Sequence, residues 1–224
     1  MHPSAMDNGR RFFSTYLTGH REPLVLDIGA QDVNGSLRQA APPGTRYVGV
    51  DFVEGRGVDV VLDDPYQLPF ADGSIDAVVS SSCFEHIEMF WLVFNEVLRV
   101  LKPDGLFYLN APSNGDFHRY PVDCWRFYPD SGMALVRWAT RSGYQPALLE
   151  SFTSYQRLDV WNDFVAVFVK DAGYVASHPD RMLDHLDRYM NGRRHGDERI
   201  LCQQDASEDG AKLQRLTGHA KPQD

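Results

Sequence analysis

Residues 24–37 read LVLDIGAQDVNGSL. Leu24-Val25-Leu26 is an apolar run without polar alternation, the pattern of a strand buried on both faces. It ends in Asp27-Ile28-Gly29-Ala30, where a small residue lets the backbone come close to another group. A dinucleotide-binding turn would continue with more glycine, as G-x-G-x-x-G. Here Gln31-Asp32-Val33-Asn34 follows, and the second glycine is delayed to Gly35. Three readings are open at this point: a nucleotide site, a modified one, or only a tight turn.

Working outward, the same strand-then-turn pattern recurs. Tyr47 to Asp51 forms a second strand ending in an acid, Val58 to Leu62 a third, and Ile75 to Ser80 a fourth. Residues 87–101, IEMFWLVFNEVLRVL, carry apolar residues at helical spacing, and Lys102-Pro103-Asp104-Gly105 stops that helix. Leu106 to Leu109 is a fifth strand, 130–142 a helix, and Ala147 to Leu149 and Phe164 to Val169 two late strands with no convincing helix between them. A short helix is expected from Gly35 to about Ala41. Strands alternating with helices imply an α/β fold: a mainly parallel seven-stranded sheet covered on both faces, with an antiparallel hairpin at one edge.

Three segments follow: an N-terminal helical segment at 1–22, the α/β domain at 23–170, and an appendage at 171–224. The last is polar with one amphipathic stretch, Met182-Leu183-Leu186-Tyr189-Met190, read as helical, and its final fifteen or so residues have the composition of a flexible tail.

At 224 residues the chain is long enough for such a domain and a sizeable core. A net charge of −9 disfavours a broad surface for nucleic-acid phosphates, and the basic pairs Arg10-Arg11 and Arg193-Arg194 read as solvated faces. No apolar run approaches the ~20 residues of a membrane span. The first residues lack the order of a secretory signal. Cys83, Cys124 and Cys202 are scattered, with no C-x-x-C, so neither a disulfide frame nor a thiolate zinc site is indicated. A reduced, cytoplasmic protein is expected. A homodimer is compatible with the sequence and not specified by it.

Ligands of open α/β sheets bind beyond the carboxyl ends of the strands, where strand order reverses. Asp27 and Asp51 stand at two such ends, and a carboxylate ending the second strand suits a ribose diol. A pyrophosphate needs closely spaced glycines at a helix N-terminus. Gln31-Asp32 is poor for that and acceptable for a sulfonium cation with an ammonium group, so S-adenosylmethionine is favoured over NAD.

VLDIGA, YVGVDF, DDPYQLPFADGSIDAVVSSSCFEHI and LRVLKPDGLFYLNAP, in this order, resemble the successive motifs of class I S-adenosylmethionine-dependent methyltransferases of the type 11 group. The run HRYPVDCWRFYPD resembles a bacterial subgroup associated with polysaccharide or secondary-metabolite pathways. The resemblance covers about residues 23–170 and implies a Rossmann-like fold. It further implies that Asp27 holds the cofactor's ammonium group and that Gly29 and Ala30 form the close backbone approach. Asp51 would bind the ribose diol with Phe52 beside the adenine. Asp64 would accept from the adenine amino group, with Pro65 packed on the ring, and Ser81 would lie near the methionyl arm. Asp63-Asp64-Pro65 is also ordinary turn chemistry.

Methyl transfer to an alcohol needs a base, and His86, His118 and Asp123 are the candidates. His86 opens the long helix, where a capping role is an equal reading. The loop from Asn114 through Tyr120 to Asp123, followed by Trp125, Phe127 and Tyr128, suits a substrate wall of polar groups and rings. Those aromatics equally suit a core plug. Asp116, His118 and Asp123 form too sparse a set for a metal to be assigned. Ser80-Ser81-Ser82-Cys83 replaces the N-P-P-[YFW] signature of amine methylation, which favours an oxygen nucleophile on a small molecule or glycan. The alternatives are N- or C-methylation of a secondary metabolite and a non-catalytic cofactor-binding partner in a biosynthetic complex.

Overall fold

A computed structural model of the chain describes residues 3–155, 161–205 and 209–210. Eight strands form one sheet: β1 Leu24–Ile28, β2 Arg46–Asp51, β3 Val60–Val61, β4 Ile75–Ser81, β5 Leu101–Pro112, β6 Ala147–Thr153, β7 Asp163–Val169 and β8 Met190–Arg194. Their order is β3-β2-β1-β4-β5-β7-β6-β8. The first five are parallel to one another, whereas β7 is antiparallel to β5, β6 to β7 and β8 to β6. The chain moves outward from β1 through β3 and then restarts at β4 on the other side of β1. The reversal therefore lies between β1 and β4, which opens a crevice beyond their carboxyl ends.

Alternate residues of the buried strands feed two cores. Leu26, Ile28 and Val78 share one with helix α2 (Phe90–Val100) and helix α3 (Ser131–Arg141). Val25, Ala77 and Val79 share the other with Phe12 of helix α1 (Pro3–Phe12) and with the π-helical turn Phe13–Leu17. Phe12 stacks on Tyr108 with ring centroids 4.8 Å apart. Asn8 of α1 donates to Asn110 Oδ1 at 3.0 Å, which fixes the N-terminal helix across β5.

Three expectations are corrected. The sheet has eight strands rather than seven, because β8 pairs with Glu150, Ser151 and Thr153 of β6. The stretch expected to be an amphipathic helix is a 3-10 turn, Met182–His185, followed by that strand. Buried Glu150 is the reason: it accepts Tyr16 Oη at 2.5 Å, Met182 N at 2.7 Å and Leu183 N at 2.9 Å, so these amides serve a tertiary contact. The helix expected after Gly35 is likewise only a 3-10 turn, Leu37–Ala40. Residues 211–224, where a flexible tail was expected, lie outside the described residues. Among the described residues no helix is long and apolar enough to cross a membrane.

Candidate active site

A cavity of about 910 Å3 opens at the strand-order reversal. The ends of β1, β2 and β4 supply Asp27, Gly29, Ala30, Asp51, Phe52 and Ser81 to its lining. Gly29 N and Ala30 N both donate to Val50 O, at 3.0 and 3.1 Å, and pin the turn after β1 onto β2. Gly29 has φ +78°, and a Cβ there would stand 2.4 Å from Cys83 Sγ. The backbone is thus bare where β1 meets the cavity.

The loop after Ala30 is shaped by Asp32. Its Oδ1 accepts Gly35 N at 2.7 Å, and its other oxygen pairs with Arg56 at 2.7 Å. A carboxylate already takes the amide that a pyrophosphate would need, and no α-helix N-terminus follows. The loop is a side-chain-closed turn, not a phosphate cradle.

Asp51 Oδ1 accepts Val53 N at 3.2 Å, and its Oδ2 stands 3.4 Å from Gln31 N. Asp27 is buried and accepts from Tyr47 Oη at 2.7 Å. Burial pushes its carboxyl up to about 7, the Tyr47 bond opposing the rise. Ser81 Oγ is buried without a protein partner among the described residues. Ser82, which follows it in the lining, holds a positive φ of 53°.

The opposite wall comes from the loop after β5. Its His118, Arg119, Tyr120, Pro121 and Val122 join His86 and Trp161 in the lining. Tyr120 Oη donates to Gln31 Oε1 at 2.5 Å, so the two loops touch over the cavity. The His86 and His118 rings meet edge to face at 4.9 Å, and His118 packs on Trp161 at 4.8 Å. Burial lowers the His86 imidazole, while its Nδ1 sits 2.5 Å from Val122 O. Beneath them Glu85 is 1% exposed, and burial raises its carboxyl to about 8.

The family match falls on the part of the chain that builds the strand ends. A family model described as a methyltransferase domain matches residues 26–109. Over these residues the chain is similar to methyltransferase domains. A protein of Mycolicibacterium gilvum (strain PYR-GCK) named an uncharacterized methyltransferase is 36% identical over 146 residues, 58% of this chain and 54% of that protein. Another, from Mycobacterium leprae (strain Br4923), is 34% identical over 112 residues, 42% of this chain and 40% of its own. The chain spans about half the length of the curated relatives it matches. Among solved structures, the Burkholderia thailandensis 1,6-didemethyltoxoflavin-N1-methyltransferase with bound S-adenosylhomocysteine superposes with a TM-score of 0.57 at 17% identity, covering 75% of this chain and 79% of that one. The cyclase SpnF gives 0.58 at 13% identity, covering 74% and 81%. At these identities the likeness is one of fold, an α/β sheet that is mostly parallel with antiparallel strands at one edge.

Residues 26–109, the matched segment, thus contribute the strand-end residues of the lining, and the loop after them contributes the second wall. Several expected site residues are displaced from the cavity. Asp64 is not in its lining; its Oδ1 accepts Tyr66 N at 2.8 Å, which is turn chemistry. Pro65 and Tyr66 stand in the lining instead. Phe127 is buried in the core and Trp125 packs on Phe90 with its indole N–H given to Ile87 O at 3.0 Å, and neither stands in the cavity lining. Asp123, a candidate base, is held by Arg126 at 2.6 and 2.9 Å and brought down to about 2 by it. A carboxylate this acidic and this occupied is a poor base.

Sequence reading took Glu85, which lies beneath the two histidines, only as part of a helix junction, and found no sign of Trp161 in the lining. The structure ties Trp161 to Gly115, which has φ +107° and where a Cβ would overlap that indole at 2.0 Å.

Proposed function

We propose that this chain is an S-adenosylmethionine-dependent methyltransferase acting at a hydroxyl of a small-molecule or glycan acceptor. The observation that carries the reading is one cavity with Asp51 and Ser81 at the strand ends and the His86–His118 pair on the facing loop wall. When bound, the cofactor supplies a methyl group on a cationic sulfur whose departure needs no acid. The bare backbone at Gly29 and the orphaned Ser81 Oγ fit such a ligand. Asp27 would take its ammonium group, Gly29 and Ala30 would lie along its methionyl arm with Ser81, and Asp51 would accept from the ribose hydroxyls. Phe52 and Pro65 would flank the adenine. The adenine-binding role expected of Asp64 is not part of this proposal.

The chain's own work is then to position the acceptor and take its proton. Among the candidates, His86 and His118 remain, each with its Nδ1 beside a backbone carbonyl, so that each Nε2 is the basic atom. The lowered His86 imidazole is neutral at neutral pH, as proton acceptance requires. Tyr120 lines the cavity and is the one expected substrate-wall residue kept in the proposal.

Thermal unfolding with S-adenosylmethionine, S-adenosylhomocysteine and NAD in separate excess tests this. A ligand at ~100 times its Kd adds about 2.7 kcal/mol to stability. A rise with the first two, absent with NAD and lost in Asp51→Ala, is expected. A rise with NAD alone, or with none of the three, overturns the reading.

A further inference from the structure

Glu85, His86 and His118 are brought together without bonding to one another. Glu85 Oε1 lies 3.6 Å from His86 Nε2 and 3.9 Å from His118 Nε2, beyond hydrogen-bond length. Glu85 Oε2 is buried with no protein partner among the described residues. A carboxylate removed from water needs a cation or donors, and the protein offers it neither at that oxygen.

The two imidazoles are aimed rather than merely adjacent. His86 Nδ1 meets Val122 O at 2.5 Å, and His118 Nδ1 meets Asp116 O at 3.1 Å. Carbonyls only accept, so each Nδ1 carries the proton and each Nε2 presents a lone pair on the Glu85 side. Asp123 Oδ2 stands a further 3.5 Å from His118 Nδ1. A histidine whose far nitrogen donates to a carbonyl or carboxylate is the arrangement that fixes metal-bound imidazoles. Arg126 donates to both oxygens of Asp123 and stands 3.5 Å from His118 Nδ1, and it makes no bond to Glu85 among the described residues.

We propose that Glu85, His86 and His118 hold one divalent transition-metal ion on the cavity wall, with at least one coordination position open toward the acceptor. One ligand atom from each lies within 4.8 Å of the others. Zinc bound at about 2.0–2.1 Å spaces tetrahedral ligands by roughly 3.3 Å, so the two Glu85 pairs need close by only about half an ångström. Two imidazoles and one carboxylate suit zinc-like ions, whereas magnesium and calcium prefer oxygen alone. Three protein ligands with an open fourth position is the pattern of catalytic zinc. With the ion bound both Nε2 lone pairs are committed to it, so the ion replaces the histidines as the activator. An acceptor hydroxyl entering the open position would lose its proton more readily, the oxygen staying on the metal and the proton passing to solvent. That use rests on the methyltransferase reading; binding of the ion does not. This set differs from Asp116, His118 and Asp123, which the Asp123–Arg126 pair prevents from converging.

The test is calorimetric titration of the chelator-stripped full chain with Zn2+, with Co2+ absorption reporting the ligand field, and the S-adenosylhomocysteine thermal shift measured in parallel. One ion per chain is expected, with affinity falling at least ~10-fold in His118→Ala and in Glu85→Gln. His118 sits on a partly exposed loop, so its variant folds even where the buried Glu85 variant does not. No ion bound by a chain that still responds to S-adenosylhomocysteine overturns the metal site alone. Binding unchanged in both variants overturns it too, since the ion then sits elsewhere. Ion binding lost in the variants, with no response to S-adenosylhomocysteine, upholds the site and overturns the methyltransferase reading.

Discussion

Tyr120 and Gln31, 89 residues apart, meet at 2.5 Å through a phenol and an amide oxygen. They join the loop after β5 to the loop after β1 above the cavity. The contact is exposed and neutral, which puts its net worth at about 0.5–1.5 kcal/mol. In Tyr120→Phe, S-adenosylhomocysteine is expected to bind about 2- to 10-fold more weakly, mainly through faster release, while the melting temperature stays near that of the parent. Stopped-flow dissociation reads this directly; an unchanged release rate would show that the two loops do not hold the ligand in.

Gly29 tolerates nothing larger. An alanine there adopts the left-handed region at a cost of about 1–2 kcal/mol. It also meets Cys83, whose Sγ and Cβ lie 2.4 and 2.5 Å from the new carbon. Gly29→Ala is therefore expected to lower the urea midpoint strongly. Adding Cys83→Ala should not restore it, because the Cβ of residue 83 remains in the way. Recovery in the double variant would place the conflict on the sulfur alone.

Asp27 predicts a pH dependence. Its carboxyl rises from 3.8 to about 7 on burial, so the folded state holds that proton more tightly than the unfolded chain does. The associated stabilisation is complete below about pH 4 and is lost as pH climbs through about 7. Unfolding free energy should accordingly decline between pH 5 and pH 8 by of order 1 kcal/mol per unit, and Asp27→Asn should flatten that part of the profile. If Asp27 takes an ammonium group, cofactor affinity should move oppositely and tighten over the same interval. Urea unfolding at several pH values, with and without S-adenosylhomocysteine, separates the two effects.

Asp123 behaves as a structural anchor. It accepts from Arg126 twice and from His118 N at 2.7 Å, and so fixes the loop that carries His118. Asp123→Asn should cost about 1–3 kcal/mol of stability. Its pH–rate profile should keep the parent's limbs, since no proton in transfer belongs to this group. Loss of one limb would return Asp123 to the catalytic candidates.

The parallel half of the sheet was legible because its strands are continuous apolar runs, and such runs need cover on both faces. Asp27, Gly29, Asp51 and Ser81 were legible for the same reason: a strand's end fixes which residues reach the crevice. Helix α2 followed from apolar spacing and its stop at Lys102-Pro103. The strand after it begins earlier than expected, at Leu101, because the chain there bulges between the pairs Ile75–Leu101 and Ala77–Leu106. Residues 182–190 misled because apolar spacing cannot report that Glu150, over thirty residues away, takes the local amides. Trp125 and Phe127 could be core or wall by composition alone; the structure buries Phe127 against Phe90 and leaves Trp125 packed on Phe90 at the surface, outside the cavity lining. Glu85 was hidden for a different reason. Its significance lies in two histidines, one beside it in sequence and one 33 positions on, arriving at the same point.

An open sheet ends in two strands whose outer amides and carbonyls have no partner, and such rims recruit other chains. One rim here is β3, only two residues long. The other would be β6, seven buried residues, were it not capped by β8 with Arg193 and Arg194. Arg193 is paired with Asp130, and Arg194 with Asp184. A chain cut before Met190 would leave β6 as a seven-residue uncapped rim and should self-associate by strand pairing, which light scattering would register. The segment after β7 therefore decides whether the sheet stops within one molecule or continues into the next.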